Sequence, residues 1–262
     1  MRFSWLLFFL AFGGVAAVQA QQATLGVAMG TSINAGNPTF ADGDGPGLFA
    51  GIDASGSAHR SLMTFDVSSI PLDATIISVQ LTMTLAQVTS GGPSPVTIEL
   101  HDILKTWSAG TAGAGKTISG SGGGFTAGTG DATWSDEANP STPWTNPGGD
   151  FSSTVSGSTS VSSTLTSYTW SSAQMVADVQ NWVDNPSDNF GWEIINDSAV
   201  SKSVYVFDSG AASSNQPSLV VDYTVPEPSA GWLAGMGIVA ALLFCRWREF
   251  ASQRNRGLLS GV

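Results

Sequence analysis

One cysteine, two histidines and nine lysines and arginines are spread over 262 residues, and only 11% of the chain is charged. Each shortage removes a class of chemistry. Cys245 has no partner for an intramolecular disulfide, and the residues before it are left without a thiol nucleophile or a cysteine zinc site. Residues 21–225 hold four bases (Arg60, Lys105, Lys116 and Lys202) against 18 of the 20 acids, a net charge of −14. Nucleic acid is thereby excluded as a partner, because phosphate binding needs a basic footprint. The acidity itself reads first as solubility. The two histidines, His59 and His101, stand at neither triad nor zinc-ligand spacing. Asp136 and Glu137 are adjacent, so on a strand they point to opposite faces and make a poor pair for glycoside hydrolysis. No catalytic residue and no metal-ligand set is assigned, and the chain is expected not to be an enzyme.

Both ends carry addressing features. Residues 1–20 combine Arg2, an apolar stretch over 5–18 broken by Gly13 and Gly14, and the small-residue site Val18, Gln19, Ala20. This is the layout of a secretory signal peptide with Gln21 as the mature start; a retained anchor is the other reading. At the far end Val225, Pro226, Glu227 and Pro228 precede an uncharged apolar run over 231–245, and Arg246, Arg248, Arg254 and Arg256 follow it. A bilayer-spanning helix needs about 17–25 apolar residues. Residues 229–246 nearly reach that length, with Arg246 able to snorkel. Basic residues on one flank place that flank in the cytoplasm and everything before Pro226 outside, with Tyr223 and Trp232 near the outer interface.

The region between reads as strands and turns. Over 77–88 one face takes Ile77, Val79, Leu81, Met83 and Leu85, and the other Ser78, Gln80, Thr82 and Thr84. Val96, Ile98 and Leu100 alternate with Thr97, Glu99 and His101 after a turn at Gly91, Gly92 and Pro93. Residues 61–67, 192–195, 204–207 and 219–223 are further strand candidates. Met175, Val176, Val179, Trp182 and Val183 instead recur at helical spacing after Ser171 and Ser172, and Asn185 with Pro186 ends the run. Many strands with one short helix predict an all-β fold, a β-sandwich of jelly-roll type. Residues 110–130 and the Ser/Thr tract over 151–167 read as long surface loops, with an ordered loop between them.

Trp134 and Trp144 lie in that intervening loop with Asp136, Glu137 and Asn139, and are the candidate glycan-binding residues, since sugar rings stack on aromatic faces beside polar groups. Burial in a core is the competing reading for both, and the leading one for Trp107, Trp170, Trp182 and Trp192. Asp42, Gly43, Asp44, Gly45, Pro46 and Gly47, with Asp53, do not form an EF-hand: Pro46 occupies a ligand position and Asp53 replaces the bidentate glutamate. No cofactor is expected; a structural Ca²⁺ held by these acids stays open beside plain solvated turns.

Arg60, Ser61, Leu62, Met63, Thr64, Phe65, Asp66, Val67, Ser68, Ser69, Ile70 and Pro71, followed by Ala74, Thr75, Ile76 and a strand, resemble the early signature of DNRLRE-type domains. Three later blocks are similar to that family in order: Trp107 after Ile103 and Leu104, with Thr133 and Trp134; the helix to Trp182 with Asn189, Phe190 and Gly191; and Gln216, Pro217, Ser218, Leu219, Val220, Val221, Asp222, Tyr223 as a closing strand. The resemblance implies a jelly-roll sandwich akin to carbohydrate-binding modules. Pro226, Glu227 and Pro228, the apolar run and the bases at Arg246 and Arg248 resemble the PEP-CTERM sorting signal, which implies recognition by an exosortase. The expected organisation is a signal peptide (1–20), a DNRLRE-type domain (21–225) and a sorting tail (226–262) with a membrane helix near 229–246. The expected function is that of an exported, non-catalytic protein of the cell surface or extracellular matrix. A carbohydrate-binding module gripping an extracellular polysaccharide is the alternative, and a polysaccharide-active enzyme ranks last.

Overall fold

A computed structural model of the protein describes residues 18–118, 123–196, 198, 200–226 and 246–247. Two compact units divide the chain, Ala20–Thr224 on the one hand and Met1–Gln19 with Val225–Val262 on the other. In the second unit Arg246 and Trp247 are helical and exposed. The expected signal-peptide core, Glu227, Pro228, the apolar run of the expected membrane helix and Arg248 lie outside the described residues. Among the described residues no helix is long and apolar enough to cross a membrane.

The Ala20–Thr224 unit is all-β with one α-helix. Its strands are β1 (Val18–Asn34), β2 (Phe40–Ala41), β3 (Gly47–Ile52), β4 (Ala58–Phe65), β5 (Thr75–Val88), β6 (Val96–Ile103), β7 (Phe125–Thr126), β8 (Asp136–Ala138), β9 (Thr142–Pro143), β10 (Phe151–Val161), β11 (Ser167–Trp170), β12 (Trp192–Asn196), β13 (Tyr205–Asp208) and β14 (Ser218–Pro226). The helix, α1 (Ala173–Asp184), falls between β11 and β12. Ten strands run in the order β1-β14-β5-β13-β3-β4-β12-β6-β10, with β11 on β5. β1 also pairs with β4 from Val27 to Asn34, past a bulge between Val27 and Met29. One strand thus joins β14 to β4, and the assembly folds over on itself as a β-sandwich-like body.

Alternation predicted β5 correctly except at its start. Val79, Leu81, Met83 and Leu85 are buried, but it is Ile76, 5% exposed, that joins them, whereas Ile77 is 57% exposed. The pairing with β14 slips between Asp222 and Tyr223, which oppose Ser78 and Ile76. An extra residue in β5 there moves every side chain before it to the other face. The Ser/Thr tract expected as a loop is β10, antiparallel to β6 from Phe151↔Ile103 to Val161↔Val96 with two register shifts. Tyr223 is 6% exposed, and its hydroxyl donates to Gln21 Oε1 at 3.1 Å.

The helix begins and ends where its sequence signals stand. The Ser172 hydroxyl accepts from Met175 N at 3.0 Å and donates to Ser156 O, so one side chain caps α1 and ties it to β10. At the other end Asn185 N donates to Asn181 O and Pro186 opens a 3₁₀ turn. Met175, Asp178, Val179, Trp182 and Val183 are buried along one face, against β5 and β10. Trp182 packs on Trp192 with ring centroids 4.5 Å apart. Each indole donates to an aspartate, Trp182 to Asp102 at 3.1 Å and Trp192 to Asp178 at 2.9 Å.

Gly191 leads into β12 with φ +80°, and a Cβ on it would lie 2.0 Å from Met63 O. Gly191→Ala therefore combines left-handed backbone strain with a collision against a neighbouring strand, and is expected to destabilise the fold by about 2 kcal/mol or more. Urea denaturation followed by tryptophan fluorescence checks this; a loss under about 0.5 kcal/mol contradicts the geometry.

Candidate functional site

The described residues between β6 and β10, 104–118 and 123–150, include the cover over one face of the sheet. Glu193 on β12 stands opposite Leu62 on β4 and opposite His101 on β6, so these three, with Arg60 two residues before Leu62, share that face. Leu62 and Ile103 there pack with Trp107, Ala109, Ala132 and Trp144 from the covering segment, and Phe190 packs against the cluster. Because both faces of β6 are covered, His101 is only 6% exposed although the alternation assigned it to a polar face.

The polar heart of this face is Arg60 with Glu193. Arg60 Nη1 donates to Gly148 O at 2.8 Å and to Glu193 Oε1 at 3.3 Å. Its guanidinium lies 5.2 Å from the Trp134 ring centroid and 5.0 Å from that of Phe151. Phe151 in turn meets His101 edge-on at 5.2 Å. Glu193 is fully buried, and its Oε2 has no hydrogen-bond partner. Burial drives the Glu193 carboxyl up from 4.5 to about 8, against the opposing pull of Arg60. Gly148 and Gly149, at φ +97° and +111°, let the loop close on the pair: a Cβ on Gly149 would lie 2.3 Å from Glu193 Oε2. Asp150 holds that loop by accepting from Thr145 N at 2.8 Å and Asn146 N at 3.0 Å.

The two candidate tryptophans part company. Trp144 is 4% exposed and donates its indole N–H to Thr133 O at 2.8 Å, so it is a core residue with no ring face for a sugar. Trp134 is half-buried, with Arg60 over its ring. Trp107, Trp170, Trp182 and Trp192 are buried, as expected. Arg60 and Glu193 were not singled out as site residues from the sequence. The available signal was a glutamate inside the otherwise apolar run Trp192, Ile194, Ile195, and the one base in β4. Of the sorting-signal residues, Pro226 ends β14 and is exposed, as is Arg246.

The histidines sit apart. His59 is buried beneath Phe49, with Nε2 3.4 Å from Asp53 Oδ2; burial lowers its pKa, and Asp53 opposes that shift. His101 bonds through Nδ1 to Ser152 O at 2.8 Å and through Nε2 to Glu99 at 3.4 Å. Asp53 caps its own turn, its Oδ1 accepting from Ser55 N and Ser57 N at 2.8 and 2.9 Å. Among the described residues no three of His, Cys, Asp and Glu converge on a point where a metal would sit. Asp136 and Glu137 are half-buried in the β8–β9 hairpin, where Asp136 N donates to Thr133 Oγ1 at 3.0 Å.

No known protein family matches the chain, and no curated protein matches it.

Between pH 4.5 and about 8 folded Glu193 keeps a proton that the unfolded chain has released, so stability falls as pH rises through that window. The melting temperature is expected to decrease from pH 5 to pH 8.5, and Glu193→Gln is expected to flatten that slope. Thermal denaturation at a series of pH values tests it; an unchanged slope in the variant rules out Glu193 as its source.

Proposed function

We propose that the protein is an exported, non-catalytic structural protein of the cell surface or extracellular matrix, its sandwich a jelly-roll domain of DNRLRE type. In this reading residues 1–20 direct export. Pro226, Glu227 and Pro228, with a membrane helix near 229–246 and Arg246 and Arg248 behind it, form a PEP-CTERM-like signal handled by an exosortase-type partner. The observation that carries the reading is the adjacency of β1 and β14: Gln22 Nε2 donates to Asp222 Oδ1 at 2.7 Å and Tyr223 to Gln21 at 3.1 Å. The unit's chain enters and leaves by neighbouring strands, which suits a body displayed from a single point of attachment. Its surplus of acids over bases fits a hydrated exterior and no nucleic-acid partner.

Intact-mass analysis of the surface-extracted protein tests this. A mass running from Gln21 to near Pro226 is the expected result; a mass from Gln21 through Val262 replaces processing by simple single-pass anchoring. A cytoplasmic protein that still carries residues 1–20 overturns the proposal.

The alternative, binding of an extracellular polysaccharide, is favoured by one observation, the half-buried Trp134 ring with the part-exposed Arg60 guanidinium stacked on it. That pairing offers an aromatic face and a positive charge within one contact patch. In affinity electrophoresis across acidic and neutral polysaccharides, Trp134→Ala is expected to abolish any retardation without unfolding the protein. Trp144→Ala is expected instead to cost about 3–5 kcal/mol of stability. Wild-type mobility unchanged by every polysaccharide ends the binding reading.

A further inference from the structure

The His59 imidazole is fully buried between two strand pairings, opposite Asn34 on β1 and opposite Gly51 on β3. Its neighbour Asp53 is a carboxylate and can only accept, so Nε2 carries the ring proton and donates to Asp53 Oδ2 at 3.4 Å. That leaves Nδ1 as a bare lone pair, buried and without a hydrogen-bond partner. The neutral ring tolerates this. A protonated ring does not, because Nδ1 then becomes a donor, with no acceptor and no water to serve it.

Three pieces of chain hang on this pair. The β3–β4 ladder consists of two residue pairs, Gly51↔His59 and Ile52↔Ala58. The turn beyond it closes through Asp53, whose Oδ1 accepts from Ser55 N and Ser57 N and whose Oδ2 faces His59. The 201–203 segment docks on the same corner: Lys202 N donates to Asp53 O at 3.3 Å and Ser203 N to Ile52 O at 2.9 Å. Ala35 N, just past the end of β1, donates to Ala58 O at 2.9 Å. Phe49 packs on the ring from β3, and among the described residues Asp53 is the charged group that acts on the imidazole.

We propose that His59 is an acid-sensitive latch: a proton on Nδ1 releases the Asp53–Ser57 turn and the 201–203 segment docked on it, while the rest of the sandwich stays folded. In the open form the ring takes its proton at the ordinary value of 6.5, whereas in the closed form burial holds it lower against the pull of Asp53. Closure is therefore fully favoured above pH 6.5 and weakens by up to about tenfold for each unit below it. The Asp53 carboxyl is itself held below 3.8 and stays charged through that range. Glu193, Asp102 and Asp42 are raised by burial, so they favour the folded chain on acidification and set the corner against its surroundings. The inference does not depend on export or on glycan binding.

Hydrogen exchange of the full chain, purified in detergent, tests this near pH 7.5 and near pH 5.5, with times scaled for the intrinsic exchange rate. Amides of residues 51–59 and 201–203 are expected to lose about tenfold in protection at the lower pH, with no loss in β5, β6 and α1. His59→Gln, which keeps a donor for Asp53 and cannot titrate, is expected to abolish that loss. With only two histidines in the chain, NMR titration of the imidazoles, assigned through His101→Gln, gives a second readout that needs no His59 variant. His59 is expected to titrate below 6.5. An imidazole titrating at or above that value, a His59→Gln chain that opens as much as wild type, or a wild-type corner equally protected at both pH values overturns the proposal.

Discussion

Without a disulfide and, among the described residues, with few ion pairs, this fold depends on a demand made by its largest side chains: a buried indole N–H must find an acceptor. Each of the five tryptophans buried among the described residues finds one, four of them on a different element and Trp144 within the covering segment itself. Trp107 donates to Phe190 O, Trp144 to Thr133 O and Trp170 to Ile98 O, while Trp182 and Trp192 use Asp102 and Asp178. These bonds join the covering segment to the turn before β12, β11 to β6, and α1 to the sheet from both directions. Apolar burial holds the layers together, and the indoles decide which positions face one another. A slip of one residue in β6 or β12 would strand a donor as well as misplace a ring.

The same economy explains the unusual carboxylates. Burial raises Asp102 to about 6, with Asp178 and Asp188 adding to the shift while the Trp182 N–H opposes it. That acid is placed to receive an indole. Glu193 receives Arg60, the base that also stacks on Trp134 and Phe151. With so little positive charge available, one guanidinium serves a buried acid, a carbonyl and two rings at once. Arg60 accordingly joins the sheet to its cover.

Where one face was apolar and the other polar, the elements were legible from residue order. β5, β6 and the helix from Ser172 to Asn185 follow from period and caps. Legibility failed where the physics departs from a one-sided surface. β10 is a sheet-edge strand of Ser, Thr and Gly with register shifts, so it shows no period. β3, Gly47–Ile52, is buried almost throughout and too short to distinguish itself from a turn. Five of the six tryptophans that carried a core reading proved to be buried, Trp144 among them, because area favours burial. The half-buried state of Trp134 depends on Arg60, 74 positions earlier in the chain, which local pattern cannot supply. His59 was visible as one of two histidines, but its unpartnered Nδ1 is a property of the strands paired on either side of it.

The pairing of the first and last strands of the Ala20–Thr224 unit has a topological consequence. Gln21 and Tyr223 are in contact although 202 positions separate them, so a short peptide suffices to join the strand ends there. The order of elements along the chain is then a matter of where it happens to be opened. A circularly permuted molecule, sealed between β14 and β1 and opened at the exposed turn holding Leu72 and Asp73, keeps every strand neighbour, every indole acceptor and the Arg60–Glu193 joint.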